Sequence, residues 1–116
     1  MTMLSGAHTV VFSEDPEAAR AFFRDVLRLD AADAGGGWLI FALPPAELAF
    51  HPGEPHQELY LMCEDLEATM RELRGRGVEF AAGVSEQSWG RLVRFKIPGG
   101  GAMGLYEPRH PRSASG

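Results

Sequence analysis

Apolar and polar positions along the chain spell the same order of elements twice. "HTVVF" (residues 8–12) is a short β-rich run that stops at a helix start, with Ser13 or Asp15 as cap, Pro16 at the first helical position and the acids Glu14 and Glu17 beside it. Ala19, Phe22, Phe23, Val26 and Leu27 then recur at helical spacing and form one stripe that must pack on something. After the turn "DAGGG", the segments "WLIFAL" and "AELAFHP" read as two strands separated by Pro44 and Pro45. The second half repeats the order. "ELYLMC" is a strand, Asp65 a cap, and Leu66, Met70 and Leu73 the inward face of a helix ending at "GRG". "VEFAAG", "RLVRFKI" and "AMGLYE" follow as three short strands, with "IPGGG" as the turn before the last.

The two halves also share residues. Asp15, Glu17, Ala18 and Arg24 recur as Asp65, Glu67, Ala68 and Arg74 at one common offset. Each half is therefore expected to be a β-α-β-β-β module, about 6–52 and 57–108, within a single domain over 1–110, followed by a frayed tail at 111–116. One helix cannot cover both faces of a sheet, so the modules are expected to join through their sheets.

Composition narrows the partners. At 116 residues the chain can bury an ordinary core without cross-links, and its single cysteine, Cys63, in the apolar run "LYLMC", reads as a structural thiol suited to a reducing cytoplasm. No secretory leader or stretch of membrane-span length is visible, so a cytoplasmic protein is expected. The net charge of −5, with acids and bases interspersed, offers no basic patch for phosphates and argues against nucleic acid. A small molecule is the expected partner.

Among chemistry-bearing side chains, His51 and His56 flank a "HPGEPH" loop at a spacing that suits neither one helix face nor one strand face, so they read as exposed; His110 falls in the tail and reads as solvated. Trp38 follows a glycine run, and Trp89 lies in the polar stretch "SEQSWGR", where a bulky ring has no core reason to be. Flat aromatic walls favour planar ligands. Phe41, Phe50, Tyr60 and Phe95 read as core residues on strands; Tyr60 is also carried, with Trp38 and Trp89, as a candidate ligand contact. "IPGGG" precedes no helix and reads as a hairpin connection rather than a phosphate cradle.

The duplicated module, a first-strand histidine ahead of the capping Asp15, "FFRDVLRL", "EDLEA", "WGR" at 89–91 and the terminal "GLYEP" together resemble the vicinal oxygen chelate superfamily. Its members include glyoxalase I, bleomycin-resistance proteins and extradiol dioxygenases. The resemblance spans about residues 6–108 and implies an α+β fold, two βαβββ modules in tandem forming a cupped, incomplete eight-stranded barrel, within a homodimer. It also implies positions for metal ligands: His8 on the first strand, Glu47 on the fourth, Glu58 where a second histidine is usual, and Gly104 where a glutamate is usual. His8, Glu47 and Glu58 would then hold Ni, Zn, Mn or Co, with Glu47 or Glu58 as catalytic base, in a lyase or isomerase resembling glyoxalase I. Lacking the second histidine, the set is not a two-His, one-carboxylate triad, so extradiol cleavage is not expected. The loss at Gly104 points instead to a metal-free protein that sequesters a planar or basic small molecule in its cup, as bleomycin-resistance proteins do. In that branch a tryptophan-glycine pair like Trp89-Gly90 borders the ligand groove.

Overall fold

The computed structural model describes residues 8–46, 48–50, 52 and 54–110. The repeated sequence becomes a repeated cap. Helix α1 (Pro16–Ala21) starts where the Asp15 carboxylate accepts from Ala18 N at 3.1 Å, and α2 (Leu66–Gly75) where Asp65 accepts from Ala68 N, also at 3.1 Å. Helix α1 continues into a π-helical turn, Phe22–Val26, which keeps the Phe22 and Phe23 rings on the inward side.

Two sheets follow. Strands β1 (Ala31–Asp33) and β2 (Leu39–Phe41) form a small hairpin in the first half. In the second half β3 (Tyr60–Met62), β4 (Ser85–Gln87), β5 (Gly90–Lys96) and β6 (Ala102–Pro108) make a sheet in the order β3-β6-β5-β4, with β3 parallel to β6 and the other pairs antiparallel. The mixed α+β fold and the β-α-β-β-β order of the second module agree with the sequence reading, although its first returning strand lies later than expected. "VEFAAG" contributes only the bridge Phe80–Phe95, and the ladder begins at Ser85.

The first module departs further. Residues 8–12 and the described part of "AELAFHP" belong to no ladder among the described residues. Phe50, expected in the core, is 87% exposed, as is Phe12 at 90%. An apolar segment without a ladder partner has no sheet face to bury its side chains against. Phe41 keeps a half-buried place, its ring 6.1 Å from Phe23.

The core lies between α2 and one face of the four-stranded sheet: Leu66, Met70, Leu73, Val78, Val93, Phe95, Ile97, Met103 and Leu105 are all buried. Phe22 from the first half stacks on Phe95 at 6.1 Å, and Arg76 donates to the Val26 carbonyl at 2.8 Å, so the halves share this core. The "IPGGG" turn has a docking role: the Gly99 carbonyl accepts from Glu14 N at 3.0 Å and the Pro98 carbonyl accepts from Ser13 Oγ at 2.9 Å, fixing the entry to α1. Gly99 has φ +88, and a Cβ there would fall 2.0 Å from Ser13 Oγ, so this position requires glycine.

Candidate ligand-binding face

Strand alternation sorts the sheet into two faces. Val93, Phe95, Met103 and Leu105 point to α2, and Glu107, on the same side, accepts from Leu66 N at 2.9 Å and caps that helix. Residues between them turn the other way. The register places Tyr60, Gly104 and Arg94 in one row across β3, β6 and β5, and Met62, Tyr106 and Leu92 in the next.

Gly104 organises the first row. A Cβ on it would fall 2.0 Å from Tyr60 Cδ1 and 2.5 Å from Cε1, so the tyrosine ring lies in the space a side chain would take. From there the Tyr60 hydroxyl donates to Glu58 Oε1. Arg94 Nη2 donates to the same oxygen at 3.3 Å and to the Tyr60 hydroxyl at 3.4 Å, with its guanidinium 5.6 Å from the Tyr60 ring centre. His56 Nε2 meets Glu58 Oε2 at 2.9 Å, while its Nδ1 donates to the Glu54 carbonyl at 2.6 Å. With Nδ1 so committed, Nε2 donates to Glu58 only in the imidazolium form. That arrangement raises the His56 pKa, the Glu54 carbonyl contributing most and Glu58 next. Glu58 is held down to about 2, chiefly by the Tyr60 hydroxyl and then by His56. Both Arg94 and Glu58 side chains are over a third exposed, 40% and 37%, so the ion pair itself contributes less than about 1 kcal/mol.

A half-buried aromatic group adjoins this cluster. The Tyr60, Trp89 and Tyr106 rings meet edge to face, with centroids 6.3 Å apart for Tyr60–Trp89, 5.7 Å for Tyr60–Tyr106 and 5.5 Å for Trp89–Tyr106. Trp89 sits in the β4–β5 turn, and its carbonyl accepts from Arg109 N at 2.8 Å. Tyr106 Oη lies 3.1 Å from His110 Nε2, which corrects the expectation of a solvated tail histidine: the end of β6 carries His110 back onto the rings.

The sequence-derived candidates separate. Tyr60, Trp89 and Glu58 come together on this face. Trp38 lies in the β1–β2 hairpin, 60% exposed, with the Arg20 guanidinium 4.6 Å from its ring centre. His8 is exposed, and Glu47 and His51 lie outside the described residues. No cluster of three or more His, Cys, Asp or Glu suited to a metal occurs among the described residues. Glu58 already accepts from Tyr60, Arg94 and His56, and a guanidinium beside it repels a cation, so the described donors do not fit a divalent ion. Cys63 is half-buried, with Sγ 3.7 Å from the Tyr106 carbonyl, and burial pushes its thiol pKa up, which suits a structural role.

Sequence reasoning missed Arg94 and Tyr106 and treated Gly104 only as a lost ligand. Alternation within "RLVRFKI" carried a signal: Arg91 and Arg94, three apart, must face opposite ways. Arg91 pairs with Glu67 of α2 at 2.8 Å, leaving Arg94 on the open face.

The sequence profile of the Glyoxalase/Bleomycin resistance protein/Dioxygenase superfamily matches residues 6–108, and the chain belongs to that superfamily. Among solved structures it is similar to TnmS3, an antibiotic binding protein from Streptomyces sp. CB03234, with 28% identity, a TM-score of 0.70, and 93% of this chain and 99% of that chain covered. It is also similar to a glyoxalase/bleomycin resistance protein from the same Streptomyces strain, with 27% identity, a TM-score of 0.56, and 81% and 92% covered. Among curated proteins, the uncharacterized protein YetH of Bacillus subtilis is 31% identical over 111 residues, covering 84% of this chain and 92% of YetH.

Proposed function

We propose that this chain binds a planar small molecule on the open face of the second-module sheet and acts by holding it, as a resistance-type sequestration protein, without a metal ion. The carrying observation is the half-buried trio Tyr60, Trp89 and Tyr106, set beside Glu58 and Arg94 on the face that the core does not use. Similarity to TnmS3, described as antibiotic binding, supports the reading. The alternative, a metal-dependent lyase or isomerase with His8, Glu47 and Glu58, needs Glu58 released from its present partners.

The test is calorimetry with acridine carboxamide, a neutral planar probe. Trp89→Ala is expected to raise its Kd about tenfold, or ~1.4 kcal/mol, through loss of one aromatic wall. Prior chelation of the wild type, or addition of Ni, Zn, Mn or Co, is expected to leave the Kd unchanged. No binding by the wild type, an unaltered Kd in Trp89→Ala, or binding abolished by chelation would each sink this reading.

The homodimer belongs to the same proposal. Val10, Phe12, Leu48 and Phe50 are 63%, 90%, 82% and 87% exposed, apolar side chains that a second copy of the chain would cover. Sedimentation is expected to give a dimer that Phe12→Asp and Phe50→Asp together dissociate; a monomeric wild type would remove the dimer from the proposal.

A further inference from the structure

We propose that Arg94 is the polar anchor of this face and selects ligands presenting an acceptor oxygen, a carboxylate or carbonyl attached to the planar ring. The inference rests on the proposed binding role and adds the chemical class of the ligand.

Hydrogen-bond capacity decides between the two charged groups. Both oxygens of Glu58 are engaged, Oε1 by Tyr60 and Arg94 and Oε2 by His56. An ammonium or hydroxyl donor on a ligand would find one acceptor site left on Glu58, on Oε2 beside His56, where an ammonium also meets the imidazolium charge. Arg94 is in the opposite position: among the hydrogen bonds of the described residues it donates only through Nη2, to Glu58 and the Tyr60 hydroxyl. A guanidinium carries further N–H donors in a planar fork, and this one is 40% exposed. Glu58 supplies a counter-charge that orients the fork without saturating it. Tyr60 links the parts, since its ring lies under the guanidinium at 5.6 Å and against Trp89 at 6.3 Å. A ring resting on Trp89 therefore has its edge substituent within the neighbourhood of Arg94. Gly104 makes the arrangement possible by leaving room for Tyr60 between β3 and β5.

The test compares three planar probes of the same shape on the intact protein by calorimetry: acridine carboxylate, acridine carboxamide and aminoacridine, which is cationic. The wild type is expected to bind the carboxylate about tenfold more tightly than aminoacridine, with the carboxamide between them, as one charge-assisted hydrogen bond allows. Arg94→Gln is expected to erase that preference, with acridine carboxylate binding weakened about tenfold, and Arg94→Lys to restore part of it. Glu58→Gln, which removes the counter-charge, is expected to strengthen carboxylate binding. Preference for aminoacridine, or a carboxylate preference that survives in Arg94→Gln, would overturn the assignment of Arg94 while leaving the binding role intact. Failure of all three probes to bind would overturn the binding role and this inference with it.

Discussion

Phe95→Ala is expected to lower the unfolding free energy by about 3–5 kcal/mol, a large share of the total stability of a domain this size. Phe95 is fully buried and stacks on Phe22 at 6.1 Å, and its backbone carries the bridge to Phe80. A smaller side chain leaves a cavity that neither α2 nor the sheet can close, because both are held by their own hydrogen bonds. Phe22 belongs to the first half of the chain, so the truncation also weakens the join between the halves. Urea denaturation would show the effect as a lower midpoint. A midpoint shift worth less than about 1 kcal/mol would mean that the ring is not sealed in the core as described.

Gly104→Ala should produce the largest change at the proposed binding face. The added methyl would overlap Tyr60 Cδ1 at 2.0 Å and Cγ at 3.0 Å, atoms near the ring's root rather than its flexible end, so the whole ring must swing away. The swing breaks the Tyr60–Glu58 hydrogen bond and removes the surface beneath Arg94. Acridine carboxylate binding is expected to fall tenfold or more, roughly 1.4 kcal/mol, while the midpoint of unfolding drops only modestly, since Tyr60 is already half-exposed. A double-mutant cycle isolates the contact: Gly104→Ala should cost little further affinity once Tyr60 is alanine. Additive losses would show that Gly104 acts by some route other than making room for that ring.

Much of the second module was legible because its signals are local. Asp65 as cap and Leu66, Met70 and Leu73 as the inner helix face both follow from short-range spacing, and each is found. The first module was less legible for a physical reason. "HTVVF" and "AELAFHP" have strand composition, but a strand exists only with a ladder partner, which composition does not supply. At the proposed binding face, Trp89 announced itself as a large ring in a polar stretch. Arg94 did not, because its role depends on which strands flank β6. Gly104 was the hardest to read: a missing side chain looks like a deficit until the register shows Tyr60 lying in its place.

The parallel pairing of β3 with β6 bears on how the face is made during folding. β5 and β6 are joined by a short turn closed by Ile97 N to the Gly101 carbonyl at 3.0 Å, whereas Cys63 and the Tyr106 carbonyl it meets are 43 positions apart. Closing the longer loop costs more chain entropy, so the hairpin is favoured to form first and β3 to add afterwards, with α2 already compacting the segment between. On that order the groove at Gly104 would exist before the ring that fills it. Tyr60 would then be the closing piece, and a chain halted just short of that step would hold a nearly complete sheet while lacking the proposed ligand face.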